Sequence, residues 1–163
     1  MGKGYTIADI DYASGVLVAA VQSKDPFLSN GVFVKDSIIP TWQAPDHVAA
    51  AAGKTAYFGG GLLSGKPFFA RGVSAMTAHP AGFLLGTAFG QVFLGRALFC
   101  TTGGHVTALR ASADGNRVAV GHARSHGVLV YDGHGRLVER IPFAGRVDDL
   151  AFRPDWTLMI GGA

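Results

Sequence analysis

Short runs in which apolar and polar residues alternate fill the chain, and glycine-rich segments separate them. Val106–Ala111 is the clearest run, and a period of two is typical of a half-buried β-strand. Asp114-Gly115 favours the tight turn of a hairpin, and residues 117–121 form the next apolar run. The pattern therefore predicts an antiparallel pair of strands.

Two more strands extend this pair. Residues 128–132 and 137–141 are predicted as the third and fourth strands, and Gly133-His134-Gly135 lies between them as a turn. Four short strands joined by tight turns predict a small antiparallel sheet built from about 40 consecutive residues.

The same strand–turn–strand pattern recurs along the whole chain. Its copies begin at residues 7, 48, 73, 106 and 147. The copy at residue 48 is the shortest, so we expect its outer strand to be reduced or lost. The repeats predict one all-β domain made of units over residues 6–45, 46–71, 72–104 and 105–145, followed by a half unit over 146–163.

Several residues in these units resemble the signature positions of the WD-repeat β-propeller family. The resemblance is clearest over residues 104–163 and rests on Gly104-His105, Asp114-Gly115, Tyr131-Asp132 and Arg153-Pro154-Asp155. Tyrosine stands here where the family has tryptophan. The resemblance implies a β-propeller, or a partial propeller, of four-stranded antiparallel blades.

The half unit over residues 146–163 has two predicted strands only. A sheet that stops after two strands leaves an open edge that favours pairing with another strand. Three arrangements remain open. In the first, the chain is a piece of a propeller of about six to eight blades. In the second, another chain supplies the absent strands. In the third, the segment pairs with the N-terminal strand to close a four-bladed ring.

Composition and charge narrow the function classes. Apolar residues make up 48% of the chain and charged residues 15%, which favours a packed core over disorder. The net charge is +3, but the arginines are spread out, whereas nucleic-acid binding calls for a basic patch. We therefore do not expect a nucleic-acid partner. The arginines of the C-terminal half are Arg110, Arg117, Arg124, Arg136, Arg140, Arg146 and Arg153.

Features of secreted and membrane proteins are not found in the sequence. The one cysteine, Cys100, cannot form an internal disulfide. No apolar run reaches the ~18 residues of a membrane span, and the N-terminus lacks the basic and then apolar pattern of a signal peptide. We expect a cytoplasmic protein with no membrane partner.

One segment approaches a phosphate-binding loop. It runs from Val48 to Thr55 and ends in Gly53-Lys54-Thr55. The motif requires glycine at the position of Val48 and a helix after the lysine, but the residues after Lys54 are typical of a strand. A hairpin turn at Gly53-Lys54 is the better interpretation.

Two histidines on a predicted loop, His122 and His126, are weak candidate metal ligands. A metal site needs three or four convergent ligands, and no pair of ligands has the spacing of a known motif. We predict turn histidines, no metal and no cofactor.

Four acids lie on the predicted inner strands. Paired carboxylates in such a position are suited to bind a cation or to act as acid and base. The alternative is that they face water in a channel or the interface between blades, and we assign no catalytic residue. These acids are Asp9, Asp11, Asp148 and Asp149.

The candidate interaction residues are Trp42, Trp156, Tyr131 and Arg153. An exposed tryptophan next to an arginine is typical of interaction hot spots, although a tryptophan packed between blades explains the same pattern.

These observations predict a non-catalytic platform that binds a protein partner, or self-associates, through the open half-blade. One alternative is an enzyme with a site in the propeller channel, either a hydrolase or a metal- or quinone-dependent oxidoreductase. The other is a glycan-binding module, in which Trp42, Trp156 or Tyr131 stacks on sugar rings.

Overall fold

The computed structural model describes residues 5–13, 16–24, 30–34, 37–41, 45–51, 54–64, 66–123 and 127–163. The chain folds into two compact units, Met1–Phe69 and Ala70–Ala163. Every regular element in the described segments is a β-strand, which confirms the predicted fold class. In these segments there is no helix with the length and apolar character needed to cross a membrane.

The first unit contains two four-stranded antiparallel sheets, each with its strands in chain order. The first sheet consists of β1 (Tyr5–Ala13), β2 (Val16–Ser23), β3 (Gly31–Val34) and β4 (Ser37–Pro40). The second sheet consists of β5 (His47–Ala51), β6 (Lys54–Gly59), β7 (Leu62–Leu63) and β8 (Lys66–Pro67). Since β7 and β8 have two residues each, the expectation that this unit is reduced at its outer side is confirmed.

The second unit contains two more four-stranded antiparallel sheets and one pair of strands. The third sheet consists of β9 (Val73–His79), β10 (Gly82–Thr87), β11 (Gln91–Leu94) and β12 (Ala97–Thr101). The fourth sheet consists of β13 (Val106–Ala111), β14 (Arg117–His122), β15 (Gly127–Asp132) and β16 (Leu137–Pro142). The pair, called the half-sheet below, consists of β17 (Val147–Phe152) and β18 (Leu158–Gly162).

A β-bulge at the start of the first strand recurs in four of the five sheets. In the fourth sheet it lies between Val106 and Ala108, and in the half-sheet between Val147 and Asp149. The first and third sheets have the same irregularity. A bulge that recurs at one place gives these sheets a common register.

In the three sheets of the second unit, this register places a glycine of the second strand at the same position. These glycines are Gly86, Gly121 and Gly161. Each pairs with the residue directly after the bulge, which is Ala75, Ala108 or Asp149, respectively.

Within each unit, the core lies between the faces of successive sheets. Val118 and Val120 of β14 pack toward the third sheet, whereas Ala119, between them, packs toward the half-sheet. This alternation follows from the period of two along a strand. In the first unit, Val18 and Val32 of the first sheet pack against Val48 of the second.

Two of the shared glycines allow close contact with the next sheet. A Cβ on Gly86 would lie 2.5 Å from Val106 Cγ1, and a Cβ on Gly121 would lie 2.6 Å from Val147 Cγ1. Both distances are too short for real side chains. Glycine is therefore required where the first residue of one sheet packs on the second strand of the sheet before it.

The strands begin close to the residues predicted from the repeats, for example at His47 and at Val147. The interpretation of the whole chain as one propeller-type domain with those unit boundaries stays a prediction.

Candidate functional site

The open edge of the half-sheet is the candidate site. In the fourth sheet β14 lies between β13 and β15, whereas in the half-sheet β18 pairs with β17 alone among the described strands. One side of β18 therefore presents main-chain donors and acceptors that no strand of the described sheet satisfies.

The hairpin geometry identifies which residues face this edge. Arg153 N–H donates to the Thr157 carbonyl (2.9 Å) across the turn between β17 and β18. Hydrogen-bonded and non-hydrogen-bonded pairs alternate along an antiparallel ladder. Leu158 and Ile160 consequently direct their main-chain N–H and C=O groups away from β17, toward the open edge.

The side chains of β18 differ between its two faces. Leu158 and Ile160 are half-buried and pack toward the fourth sheet. Met159 lies on the opposite face and is exposed. One face of the half-sheet thus packs on the fourth sheet, and no sheet of the described residues covers the other face.

The turn before β18 holds an exposed tryptophan in an unusual conformation. Trp156 has a φ of 69°, in the left-handed region that costs L-residues about 1–2 kcal/mol. In the matching turn of the fourth sheet this position is Gly115, with a φ of 73°. Trp156 is 47% exposed, and its N–H donates to the Arg153 carbonyl (3.0 Å).

An aspartate holds this turn. Asp155 Oδ1 accepts the Thr157 N–H (3.1 Å), as Asp114 Oδ1 accepts the Asn116 N–H (3.0 Å) in the fourth sheet. The donated N–H of Thr157 keeps the pKa of Asp155 below its usual value. Asp155 therefore stays ionised and supports the turn from which Trp156 projects.

The structure brings two of the four candidate interaction residues together. Arg153 and Trp156 lie in the turn next to the open edge, and both are exposed. Trp42 lies outside the described residues. Tyr131 is buried in β15, with 4% exposure, and so too little of its ring is accessible for stacking on a partner or a sugar.

Tyr131 instead lines the inner wall of a cleft of about 390 Å³ in the second unit. Its hydroxyl donates to the Thr101 carbonyl (3.1 Å). Burial and the neighbouring Cys100 raise the pKa of Tyr131 to about 12. Burial also raises the pKa of the Cys100 thiol to about 12, against the effect of its hydrogen bond with Tyr131. A neutral, buried thiol is not a reactive nucleophile.

No protein-family model and no curated protein matches the sequence. Among solved structures, the crystal structure of the WD40 β-propeller domain of Doa1 is similar, with a TM-score of 0.66 and 12% sequence identity. The match covers 99% of this chain and 64% of that chain. The fold is that of a β-propeller. The four-stranded sheets are its blades, and the half-sheet is a half-blade that spans residues 147–162.

The two acids on the first strand of the first blade, Asp9 and Asp11, form hydrogen bonds to the second blade. Asp9 Oδ2 accepts the Val48 N–H (2.9 Å), and Asp11 Oδ2 accepts the Ala50 N–H (2.8 Å). Both carboxylates thus join the first blade to the first strand of the second blade. These bonds support the interface interpretation of Asp9 and Asp11.

The acids of the half-blade are placed differently. Asp148 forms an exposed ion pair with Arg146 (2.8 Å). Asp149 Oδ1 accepts the N–H of Leu150 (2.8 Å). Neither contact joins two blades.

Of the two candidate metal ligands, the structure describes His122 only. His122 is buried at the end of β14, and His126 lies outside the described residues. Burial and the charge of Arg140 lower the pKa of His122. Among the described residues, no three His, Cys, Asp or Glu side chains form a group suited to a metal ion.

The segment that approaches a phosphate-binding loop belongs to a hairpin of the second blade. Lys54–Gly59 forms β6 and pairs with β5. Gly53 lies outside the described residues. The strand after Lys54 agrees with the predicted hairpin.

The sequence reasoning did not single out Met159 and Gly161, which lie on the uncovered face of the half-blade. The signal was present, because Gly86, Gly121 and Gly161 each end an apolar run of a repeat. An alignment of the repeats on these glycines would have shown which face of a blade packs against the following blade.

Proposed function

We propose that this chain is a protein-interaction platform that binds an extended segment of a protein partner along β18. The open edge of the half-blade is the observation that carries the proposal. Addition of a strand to an open sheet edge gives affinity through main-chain hydrogen bonds and specificity through alternate side chains.

The fourth blade is the template for the bound state. There, β15 pairs with β14 over six residues, from Arg117 opposite Asp132 to His122 opposite Gly127. A partner strand next to β18 would make the same antiparallel ladder. Trp156 and Arg153 lie at the end of this ladder, where they are placed to contact the partner beyond the strand.

The alternative functions lack comparable support. The first-unit acids that suggested a channel enzyme are bonded to main-chain N–H groups of the second blade. Among the residues proposed to stack on a glycan, Tyr131 is buried. We therefore place the partner among proteins, and we propose neither a nucleic acid nor a membrane.

The test uses a synthetic peptide that copies β15, Gly127–Asp132, with the full chain as receptor. We expect the peptide to shift the main-chain amide NMR signals of Leu158 and Ile160, because their N–H groups face the open edge. Signals of β12, in another blade, serve as the internal reference.

Two methylated peptides make the test specific. In the fourth blade Leu129 and Tyr131 pair with Val120 and Val118, so N-methylation at these two positions blocks the ladder to β18. N-methylation at Val128 and Val130 leaves that ladder intact, because their N–H groups point to the other side. Equal binding of the two forms, or unchanged β18 signals with the unmodified peptide, would rule out strand addition.

A further inference from the structure

The uncovered face of the half-blade is built like the blade faces that receive a neighbour. We call it the open face, and it consists of Asp149, Met159 and Gly161. In the fourth blade the corresponding residues are Ala108, Ala119 and Gly121, and all three are buried under the half-blade. The open face has the same register with no blade upon it in the described structure.

Gly161 leaves a space that is filled elsewhere in the propeller. Gly121 occupies the same register position, and its close neighbour is Val147 of the next blade. A Cβ on Gly161 would instead meet no atom closer than the Asp149 Cβ, at 3.7 Å. Among the described residues, no β-branched side chain occupies the position that Val147 takes at Gly121.

Asp149 repeats the geometry of Asp9. Both follow the bulge of a first strand, and both accept the N–H of the next residue through Oδ1, at 2.9 Å for Asp9 and 2.8 Å for Asp149. Asp9 uses Oδ2 to accept the Val48 N–H of the next blade. Within the described residues no such inter-blade donor reaches Asp149, whose carboxylate is exposed.

The first blade carries the complementary surface. Ile7 precedes the bulge of β1 as Val147 precedes the bulge of β17, yet Ile7 is 61% exposed and Val147 is 2% exposed. Ile10, Tyr12 and Leu17 are also exposed. We call these four residues the apolar face. In the fourth blade and in the half-blade, the equivalent positions pack on the preceding blade.

We propose that the apolar face of one copy of this chain docks on the open face of a second copy. Ile7 then enters the space at Gly161, as Val147 enters the space at Gly121. A main-chain N–H of the incoming β1 donates to Asp149, as Val48 N–H donates to Asp9. Because the two surfaces differ, the contact is head-to-tail, and each copy keeps one unused surface for a further copy.

This inference goes beyond the proposed function, since it concerns the face of the half-blade and not its edge. Strand addition along β18 requires neither Ile7 nor Gly161. Either proposal can therefore fail while the other holds.

The experiment measures the native mass of the full chain by sedimentation over a concentration series. We expect species larger than the 16.9 kDa monomer that grow with concentration. Gly161→Val fills the receiving space and should return the mass to that of the monomer. Ala97→Val adds the same kind of side chain to an exposed strand position of the third blade, and it should associate like the wild type.

A mixing experiment tests the head-to-tail geometry directly. Ile7→Asp alters the apolar face and places a second carboxylate near Asp149, so it should also be monomeric alone. Mixed with Gly161→Val, it contributes an intact open face while the other variant contributes an intact apolar face. We expect the mixture to form dimers and nothing larger.

Several results would overturn the proposal. The first is a wild type that stays monomeric at every concentration, as expected of a ring closed within one chain. The second is a Gly161→Val variant that associates like the wild type. The third is a mixture of the two variants that stays monomeric. Circular dichroism checks that the variants fold. If Gly161→Val does not fold, Asp149→Asn takes its place in both experiments. The side-chain NH2 of the asparagine would face the incoming main-chain N–H, so this variant should also be monomeric alone.

Discussion

At the scale of single residues, the most informative position is Trp156, whose backbone conformation is unfavourable for a residue with a side chain. Its φ is left-handed, and the residue at the same position in the matching turn is Gly115. Strained residues of this kind cluster at functional sites. The strain therefore agrees with a contact role for Trp156 at the end of the open edge.

The strain at Trp156 is measurable. We expect Trp156→Gly to raise the free energy of unfolding by about 0.5–1 kcal/mol, because relief of left-handed strain, about 1–2 kcal/mol, exceeds the entropic cost of glycine, about 0.5–1 kcal/mol. Denaturant unfolding checks this value.

Trp156→Ala is the control, since it removes the ring and keeps the strained backbone. The difference between the two variants then reports the backbone alone. A Trp156→Gly variant less stable than Trp156→Ala would contradict the assignment of strain.

Single residues also show which features could not be predicted from the sequence. Tyr131 was predicted from the sequence to contact a partner or a sugar ring, but it is buried. It is buried because it packs on the third blade, and the residue pattern of one strand does not show which of its faces a neighbouring blade covers. The φ of Trp156 is also absent from the pattern, since Arg153-Pro154-Asp155 predicts a turn without its conformation.

At the scale of strands and sheets, the pattern predicts much more. Alternation and turn residues are local, and so the starts of the strands follow from the sequence alone. The contacts between sheets are not local. The roles of Asp9 and Gly121 became visible once the neighbouring blade was in place.

The contact between sheets leads to a paired prediction. A Cβ on Gly121 would meet Val147 Cγ1 at 2.6 Å, so Gly121→Ala should lower the free energy of unfolding by about 1–3 kcal/mol through overpacking. Gly161→Ala adds the same methyl group at the same register position with open space around it. We expect its stability to stay within about 0.5 kcal/mol of the wild type.

Thermal unfolding of both variants, at a concentration where the chain is monomeric, measures the difference. If Gly161→Ala is destabilised as much as Gly121→Ala, the open face is covered in solution by the chain itself. Equal stability of Gly121→Ala and the wild type would show that the blades separate readily at this point.

At the scale of the whole molecule, the chain divides into two compact units at residues 69 and 70. The second unit contains two cores of its own, one between the third and fourth blades and one between the fourth blade and the half-blade. A unit with its own core is able to fold alone.

We therefore expect residues 70–163 to fold without the first unit. Circular dichroism should show β-structure and a cooperative thermal transition. The control is residues 70–145, which lack the half-blade and expose Ala119 and Val130, so its transition should fall at a lower temperature. An unfolded 70–163 fragment would show that the second unit depends on residues 1–69.

The glycine and the β-branched residue that meet between blades come from different repeats, yet each repeat of the second unit carries both. The third repeat brings Val73 and Gly86, the fourth Val106 and Gly121, and the half-blade Val147 and Gly161. A gene duplication that copies one such repeat would copy both halves of a working contact at once. Propellers with this arrangement can therefore gain or lose whole repeats during evolution without a compensating mutation at the new junction.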